Sequence, residues 1–118
     1  MRRSDEFERA AAHAAGLEDW NAAVANAVHS GISIADALAV FYLGKRSVAA
    51  QAREESVALL YQLGMDRKEI ERAESHLTKL LKVKNLAEYE ERLLGQRDSG
   101  QATKHLERFK AWTQGKLP

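Results

Sequence analysis

The chain has 118 residues, so we expect one domain spanning residues 1–118, since two independent cores need about twice that length. Hydrophobic residues make up 45% and charged residues 30%, which is typical of a globular protein rather than a disordered one. Cysteine is absent, which excludes a disulfide framework, a thiolate zinc site and a cysteine nucleophile. The formal net charge of +1 indicates neither a nucleic-acid nor a membrane partner.

The first predicted helix begins near Ser4, which acidic residues follow, and ends at Gly16. The second extends from Leu17 to Gly44, because its apolar residues recur every three or four positions without a change of phase. Gly31 lies inside it, as a point of close helix contact or as a mild kink. The alternative is a helix that ends at Gly31 and a new one that begins shortly after. One long helix is preferred, since a turn would shift the phase.

This second helix contains the most apolar part of the chain, from Trp20 to Gly44, where Asp36 is the one charged residue. Its length would allow a membrane span. Several polar side chains interrupt it, however, so a buried helix in a bundle is the better interpretation. Arg2 and Arg3 precede no apolar run, so no export signal is predicted. We therefore expect a cytoplasmic protein without a membrane partner.

A third helix is predicted from Ala50 to Leu63, and Asp66 caps a fourth. The inner face of the fourth helix is predicted to contain Ile70, Ala73, Leu77, Leu80, Leu81 and Lys84.

The segment from Gly95 to Gly100 is predicted as a loop, in which Asp98 and Gln101 form a capping box for a last helix. No stretch alternates between apolar and polar residues with the period of a strand. The fold class is therefore all-α, an antiparallel bundle of four to five helices with one long second helix. The buried stripe of the last helix is predicted to contain Ala102, His105 or Leu106, Phe109 and Trp112.

No motif of metal, cofactor or nucleotide chemistry is found in the chain. No two histidines have the spacing of metal ligands on one helix, and the glycines form neither a phosphate loop nor a hydrolase elbow. We therefore expect no metal and no cofactor. The four histidines are His13, His29, His76 and His105.

The fourth helix has a basic stripe, whose residues fall three or four positions apart. Such a stripe could follow a phosphate backbone. The alternative is a solvated face whose charges are balanced by Glu69, Glu71 and Glu74. The stripe contains Lys68, Arg72, His76, Lys79 and Lys82.

Several segments between residues 17 and 115 together resemble the HEPN superfamily of small helical bundles, and in particular its stand-alone actinobacterial type. Ala27–Leu38 is similar to the family's long second helix, which contains a run ending in Asp-Ala-Leu, and Arg53–Leu60 lies where relatives begin the third helix. Leu80–Tyr89 resembles the basic-x-x-Ala-acidic-Tyr segment that ends the fourth. Ala102–Trp112 resembles the last helix, which contains alanine and aromatic residues.

The resemblance implies a HEPN-like fold, homodimers and, in active members, metal-independent RNA cleavage by an Arg-x4–6-His motif that ends the fourth helix. Here Lys84–Tyr89 occupies that place and contains no histidine. Arg72 and His76 are too close together for the motif, whereas Arg97 and His105 are too far apart and cross the predicted loop. Without an imidazole no group has the right pKa for general-base work at neutral pH, so we assign no catalytic residue.

The leading hypothesis is a non-catalytic dimeric module that binds a partner protein, a nucleotide or RNA. The partner could be a nucleotidyltransferase-like protein in a toxin–antitoxin or defence setting. The alternative is a metal-independent ribonuclease with a site built from Lys84, Asn85, Glu88 and Tyr89. A third possibility is a scaffold without a ligand.

Lys84, Asn85 and Tyr89 could hold a phosphate in a dimer groove. In the structural alternative Lys84 interacts with the helix dipole, while Tyr89 packs in the core. The candidate binding residues are Lys84, Asn85, Tyr89, Arg72, His76 and Lys79.

Overall fold

The computed structural model of the chain describes residues 2–44, 57–58 and 60–117, except the side chain of residue 88. These residues form an antiparallel bundle of four α-helices, and no strand occurs among them. The predicted all-α fold class is confirmed. The helices are α1 (Arg2–Gly16), α2 (Trp20–Leu43), α3 (Arg67–Tyr89) and α4 (Gln96–Gln114).

Most of the helix predicted over Ala50–Leu63 lies outside the described residues, as does most of the HEPN-like segment Arg53–Leu60. Residues 57–58 and Leu60 are helical, and Leu60 is buried in the core. Gly64 has a left-handed φ of 70°, which is typical of a residue that follows the end of a helix. The sequence predicts the end of the third helix at the preceding residue, Leu63.

The central helix α2 packs against α1 and α4 and, to a lesser extent, against α3. It begins after Asp19, whose carboxylate accepts a hydrogen bond from the Ala22 N–H at 3.3 Å, and therefore starts later than the predicted Leu17. It ends at Gly44, which has a left-handed φ of 64°. The helix continues through Gly31, so the prediction of one long helix is confirmed.

Among the described helices, α2 alone has the length and apolar character of a membrane span, with a mean hydropathy of 1.4 over its most apolar stretch. Half of that stretch is buried inside the bundle, as the buried-helix interpretation predicts. The buried residues of α2 are Ala23, Val24, Ala27, Val28, Ser30, Gly31, Ile34, Ala35, Leu38 and Ala39.

Gly31 is the point at which α2 closely approaches α3. A Cβ atom at this position would lie 2.5 Å from Leu80 Cδ2 and 3.5 Å from Leu77 Cδ1. Both leucines are fully buried, so a side chain that moved to make room would have to move within the packed core. Of the two roles that the sequence allows for Gly31, the structure therefore supports close helix contact.

Two predicted details of α3 and α4 are also wrong. The side chain of Lys84, expected on the inner face of α3, is exposed. The expected loop from Gly95 to Gly100 contains the start of α4, because the Asp98 carboxylate accepts a hydrogen bond from the Gly95 N–H at 2.8 Å. Asp98 is thus the third residue of α4 rather than its cap. The other residues predicted on the inner faces of α3 and α4 are buried, except Trp112, which is partly buried. The buried ones are Ile70, Ala73, Leu77, Leu80, Leu81, Ala102, His105, Leu106 and Phe109.

Polar contacts on two sides hold α4 in place. Lys110 forms ion pairs at 3.1 Å with Asp5 and Glu8 of α1. On the side of α3, the Trp112 indole N–H donates a hydrogen bond to Glu69 at 2.7 Å. These contacts position α4 relative to both α1 and α3.

We predict that Gly31→Ala lowers the free energy of unfolding by about 1–2 kcal/mol, because the cost of overpacking exceeds the gain in helix propensity. Gly100→Ala is the matched control, since Gly100 also lies inside a helix but a Cβ there would meet no atom within 4 Å. The control is expected to gain up to about 1 kcal/mol. Urea unfolding of both variants measures the difference, and two equally stabilised variants would contradict the close contact.

Candidate functional site: a basic groove between α3 and α4

A groove with a volume of about 890 Å³ opens between the C-terminal half of α3 and the first half of α4. Val83 and Leu86 supply its apolar wall, and Asn85 and Gln101 add amide groups. Four cations and two carboxylates also line the groove, which makes its charge positive: Lys79, Lys82, Arg92, Arg97, Glu90 and Asp98.

Both groove carboxylates are engaged by one cation, Arg92. Its guanidinium donates hydrogen bonds to the two oxygens of the buried Asp98 at 2.6 and 2.8 Å, and its Nε donates to Glu90 at 2.5 Å. The hydrogen bonds from Arg92 to Asp98 lower the pKa of Asp98, although the burial of this carboxyl group opposes the shift. Since Asp98 also accepts from the Gly95 N–H, the ion pair fixes the turn that begins α4.

The other three cations of the groove have no carboxylate within ion-pair distance in the described part of the chain. Lys79 and Lys82 extend from α3 and Arg97 from α4, and all three are exposed. The ion pairs among the described residues involve other cations. Two helices therefore direct positive charge that is not neutralised locally into one concave surface, and such a surface attracts an anion.

A pair of histidines joins α3 to α4 beside these cations. The Nδ1 atoms of His76 and His105 are 3.2 Å apart, and the ring centroids are 5.5 Å apart with a tilt of 34°. His105 is buried and lines the groove, whereas His76 is partly buried. At this distance one Nδ1 carries a hydrogen and donates it to the bare Nδ1 of the other ring.

Burial is the main cause that lowers the pKa of both imidazoles below the ordinary value of 6.5. The positive charges of Arg108, Lys79 and Lys104 lower the pKa of His76 further. The same three cations, together with His76, lower the pKa of His105. Both shifts favour the neutral form of each ring, and the hydrogen bond between the two Nδ1 atoms requires that one of these nitrogens carries no hydrogen.

Because the folded pKa of both histidines lies below the ordinary value, unfolding takes up protons as the pH falls below about 6.5. We predict that the free energy of unfolding decreases there by up to about 1.4 kcal/mol per pH unit for each histidine. Thermal unfolding from about pH 7.5 to about pH 5 measures this slope, above the range in which carboxylates titrate. His105→Gln is expected to reduce the slope, whereas the exposed control His13→Gln is expected to retain it. An unreduced slope in His105→Gln would show that the pair does not cause it.

The residues predicted near the end of α3 lie in different places. Asn85 lines the groove. Lys84 is exposed but does not line the groove. Tyr89 is 86% exposed, so the structural alternative in which it packs in the core is wrong. The side chain of Glu88 is outside the described part of the structure.

Only some residues of the basic stripe of α3 line the groove. Lys79 and Lys82 line it, while Lys68 and Arg72 are exposed outside it. His76 turns toward α4 and contacts His105. The stripe is therefore not one continuous solvated face.

The contribution of α4 is the part of the site that sequence reasoning missed. Arg97 and His105 lie eight positions apart on one helix, a little over two turns, and both line the groove. The predicted loop had separated them. Asp98, three residues after Gly95, was the available signal that α4 begins earlier.

The described residues contain no group of three side chains that could hold a metal ion. Comparison with protein-family models, with curated proteins and with solved structures finds no match to this chain. The resemblance to HEPN proteins therefore stays a prediction, and the groove is interpreted from its own geometry.

Proposed function

We propose that this protein is a non-catalytic module that binds single-stranded RNA in the groove between α3 and α4. The observation that carries the proposal is the set of three cations, Lys79, Lys82 and Arg97, directed into one groove in which Arg92 already engages both carboxylates. Phosphate groups of a nucleic acid are the ligands that such a set attracts, and they release counterions when they bind.

Apolar and aromatic surface at the end of α3 supports RNA rather than a simple anion as the ligand. Leu86 lines the groove and is half exposed, and the ring of Tyr89 is almost fully exposed on the next turn. Exposed rings and apolar side chains beside cations offer unpaired bases a stacking surface. Asn85 and Gln101 add amide donors and acceptors within the same groove.

The resemblance to HEPN proteins extends this proposal to the assembly. It supports a homodimer and a nucleotidyltransferase-like or other protein partner, in a toxin–antitoxin or defence setting. The exposed side chain of Leu93, which does not line the groove, agrees with a protein contact near it, because such a contact would remove this side chain from water.

The histidine pair favours a second candidate function, a metal-independent ribonuclease. The absence of an imidazole from Lys84–Tyr89 argues against cleavage, yet His105 brings one to the groove from α4. A neutral imidazole can accept the proton of a ribose 2′-hydroxyl, and Arg97 could stabilise charge on the phosphate. This candidate differs from binding alone in that it consumes the RNA.

We predict that Lys79→Ala, Lys82→Ala and Arg97→Ala each weaken binding of an oligouridylate by up to about fivefold, since an exposed ion pair contributes up to about 1 kcal/mol. Each substitution is also expected to reduce the salt dependence of binding by the equivalent of about one phosphate contact. Fluorescence anisotropy across a salt series measures both quantities.

Lys68→Ala and Arg72→Ala are the matched controls, because they remove positive charge from the same helix outside the groove. Equal losses in the groove variants and the controls would show that the whole stripe binds, and affinity independent of salt would exclude a phosphate contact. The bound oligonucleotide is then run on a denaturing gel. Intact RNA is expected, and cleavage that is lost in His105→Gln would establish the ribonuclease instead.

A further inference from the structure

Arg92 holds the two carboxylates of the groove in different ways. Its two terminal nitrogens donate to both oxygens of Asp98, whereas its Nε donates to one oxygen of Glu90. The side chain of Asp98 is 8% exposed, and it also accepts a hydrogen bond from the Gly95 N–H. The side chain of Glu90 is 47% exposed, and its carboxylate has no hydrogen-bond partner other than Arg92 among the described residues.

The ion pair between Arg92 and Glu90 is the easier of the two to break. Both side chains reach solvent, since that of Arg92 is 37% exposed, and exposed ion pairs contribute little to stability. Breaking the pair with Asp98 would instead leave a buried charge without its partner and remove a contact that fixes the start of α4. A ligand can therefore compete with Glu90 for Arg92, whereas Asp98 keeps the guanidinium in position.

Loss of Glu90 would open one edge of this fixed guanidinium. The group has five N–H donors, of which Asp98 accepts two and Glu90 one. Because Asp98 accepts from both terminal nitrogens, it covers the end of the guanidinium, and the Nε–H lies on a side edge next to an N–H of one terminal nitrogen. Such an edge binds two oxygens of a carboxylate or of a phosphate group in the same geometry. Glu90 thus lies where a phosphate oxygen would bind.

We propose that Arg92 is a fourth phosphate-binding cation of the groove, whose Nε–H is occupied by Glu90 until a phosphate group of the RNA displaces this carboxylate. The proposal rests on the proposed RNA-binding function and adds to it a defined phosphate position and an internal competitor. Arg92 lines the groove together with Lys79, Lys82 and Arg97, so neighbouring cations also attract the incoming phosphate. No covalent bond changes, since one anion replaces another on the same donors.

Competition by Glu90 predicts tighter binding when its charge is removed. We expect Glu90→Gln to bind an oligouridylate up to about fivefold more tightly than the wild type, which is the range of an exposed ion pair. The salt dependence of binding is expected to steepen by the equivalent of up to about one phosphate contact, because no freed carboxylate takes up a cation during binding. Fluorescence anisotropy across a salt series measures both quantities.

Glu91→Gln is the matched control, because it removes the same charge from the next residue, which is exposed and does not line the groove. Its affinity is expected to differ from that of the wild type by less than about twofold. Equal tightening in the two variants would show that only the overall charge matters, and an unchanged affinity of Glu90→Gln would show that Glu90 does not compete. Either result would overturn the phosphate position at Arg92 alone. Absence of RNA binding by the wild type and by Glu90→Gln would overturn the proposed function itself.

Side-chain signals of the wild-type chain follow the exchange directly. When the oligouridylate is added at neutral pH, the carboxyl carbon-13 signal of Glu90 is expected to move toward that of a free glutamate carboxylate. The Nε–H signal of Arg92 is expected to move in the same titration. The carboxyl signal of Asp98 is expected to move less, because Asp98 keeps its hydrogen bonds from Arg92 and Gly95. A Glu90 signal that stays in place at saturating RNA would contradict the proposal.

Discussion

Burial of one face of α2 against α3 and α4 is the constraint on which the site depends. Gly31 lets α3 approach until Leu77 and Leu80 contact α2. Once these leucines point toward α2, the step of about 100° per residue turns His76 and Lys79 to the side of α3 that faces α4 and solvent. The groove is therefore a consequence of core packing, and its cations are placed by helices rather than by loops.

The periodicity of apolar residues was sufficient to predict the architecture, because burial of one face repeats every three or four positions in a helix. It identified α2 as one helix through Gly31 and placed Leu77 and Leu80 on the inner face of α3. It was wrong about Lys84, which continues the apolar phase of α3 but is exposed, although Val83 before it and Ala87 after it are buried. The start of α4 was also wrong, because its first turn depends on hydrogen bonds from Arg92 and Gly95 to Asp98, and glycines alone indicated a loop.

The sequence alone was sufficient to identify the candidate site residues that α3 contributes. Lys79, His76 and Asn85 share α3, so their spacing along the chain was informative. Arg97 and His105 enter from the next helix, and no spacing rule relates them to α3, since their contact is set by the packing of two helices. His105 thus reaches the groove from a position that only the tertiary structure reveals.

Binding of a phosphate-bearing ligand between α3 and α4 is tested most directly by amide chemical-shift mapping. An oligouridylate is titrated into the nitrogen-15-labelled chain at low salt. We expect the largest shifts in the second half of α3, from Lys79 onward, and in the first half of α4, from Arg97 to His105. Shifts confined to α1 and the start of α2, or no shifts at saturating RNA, would contradict it.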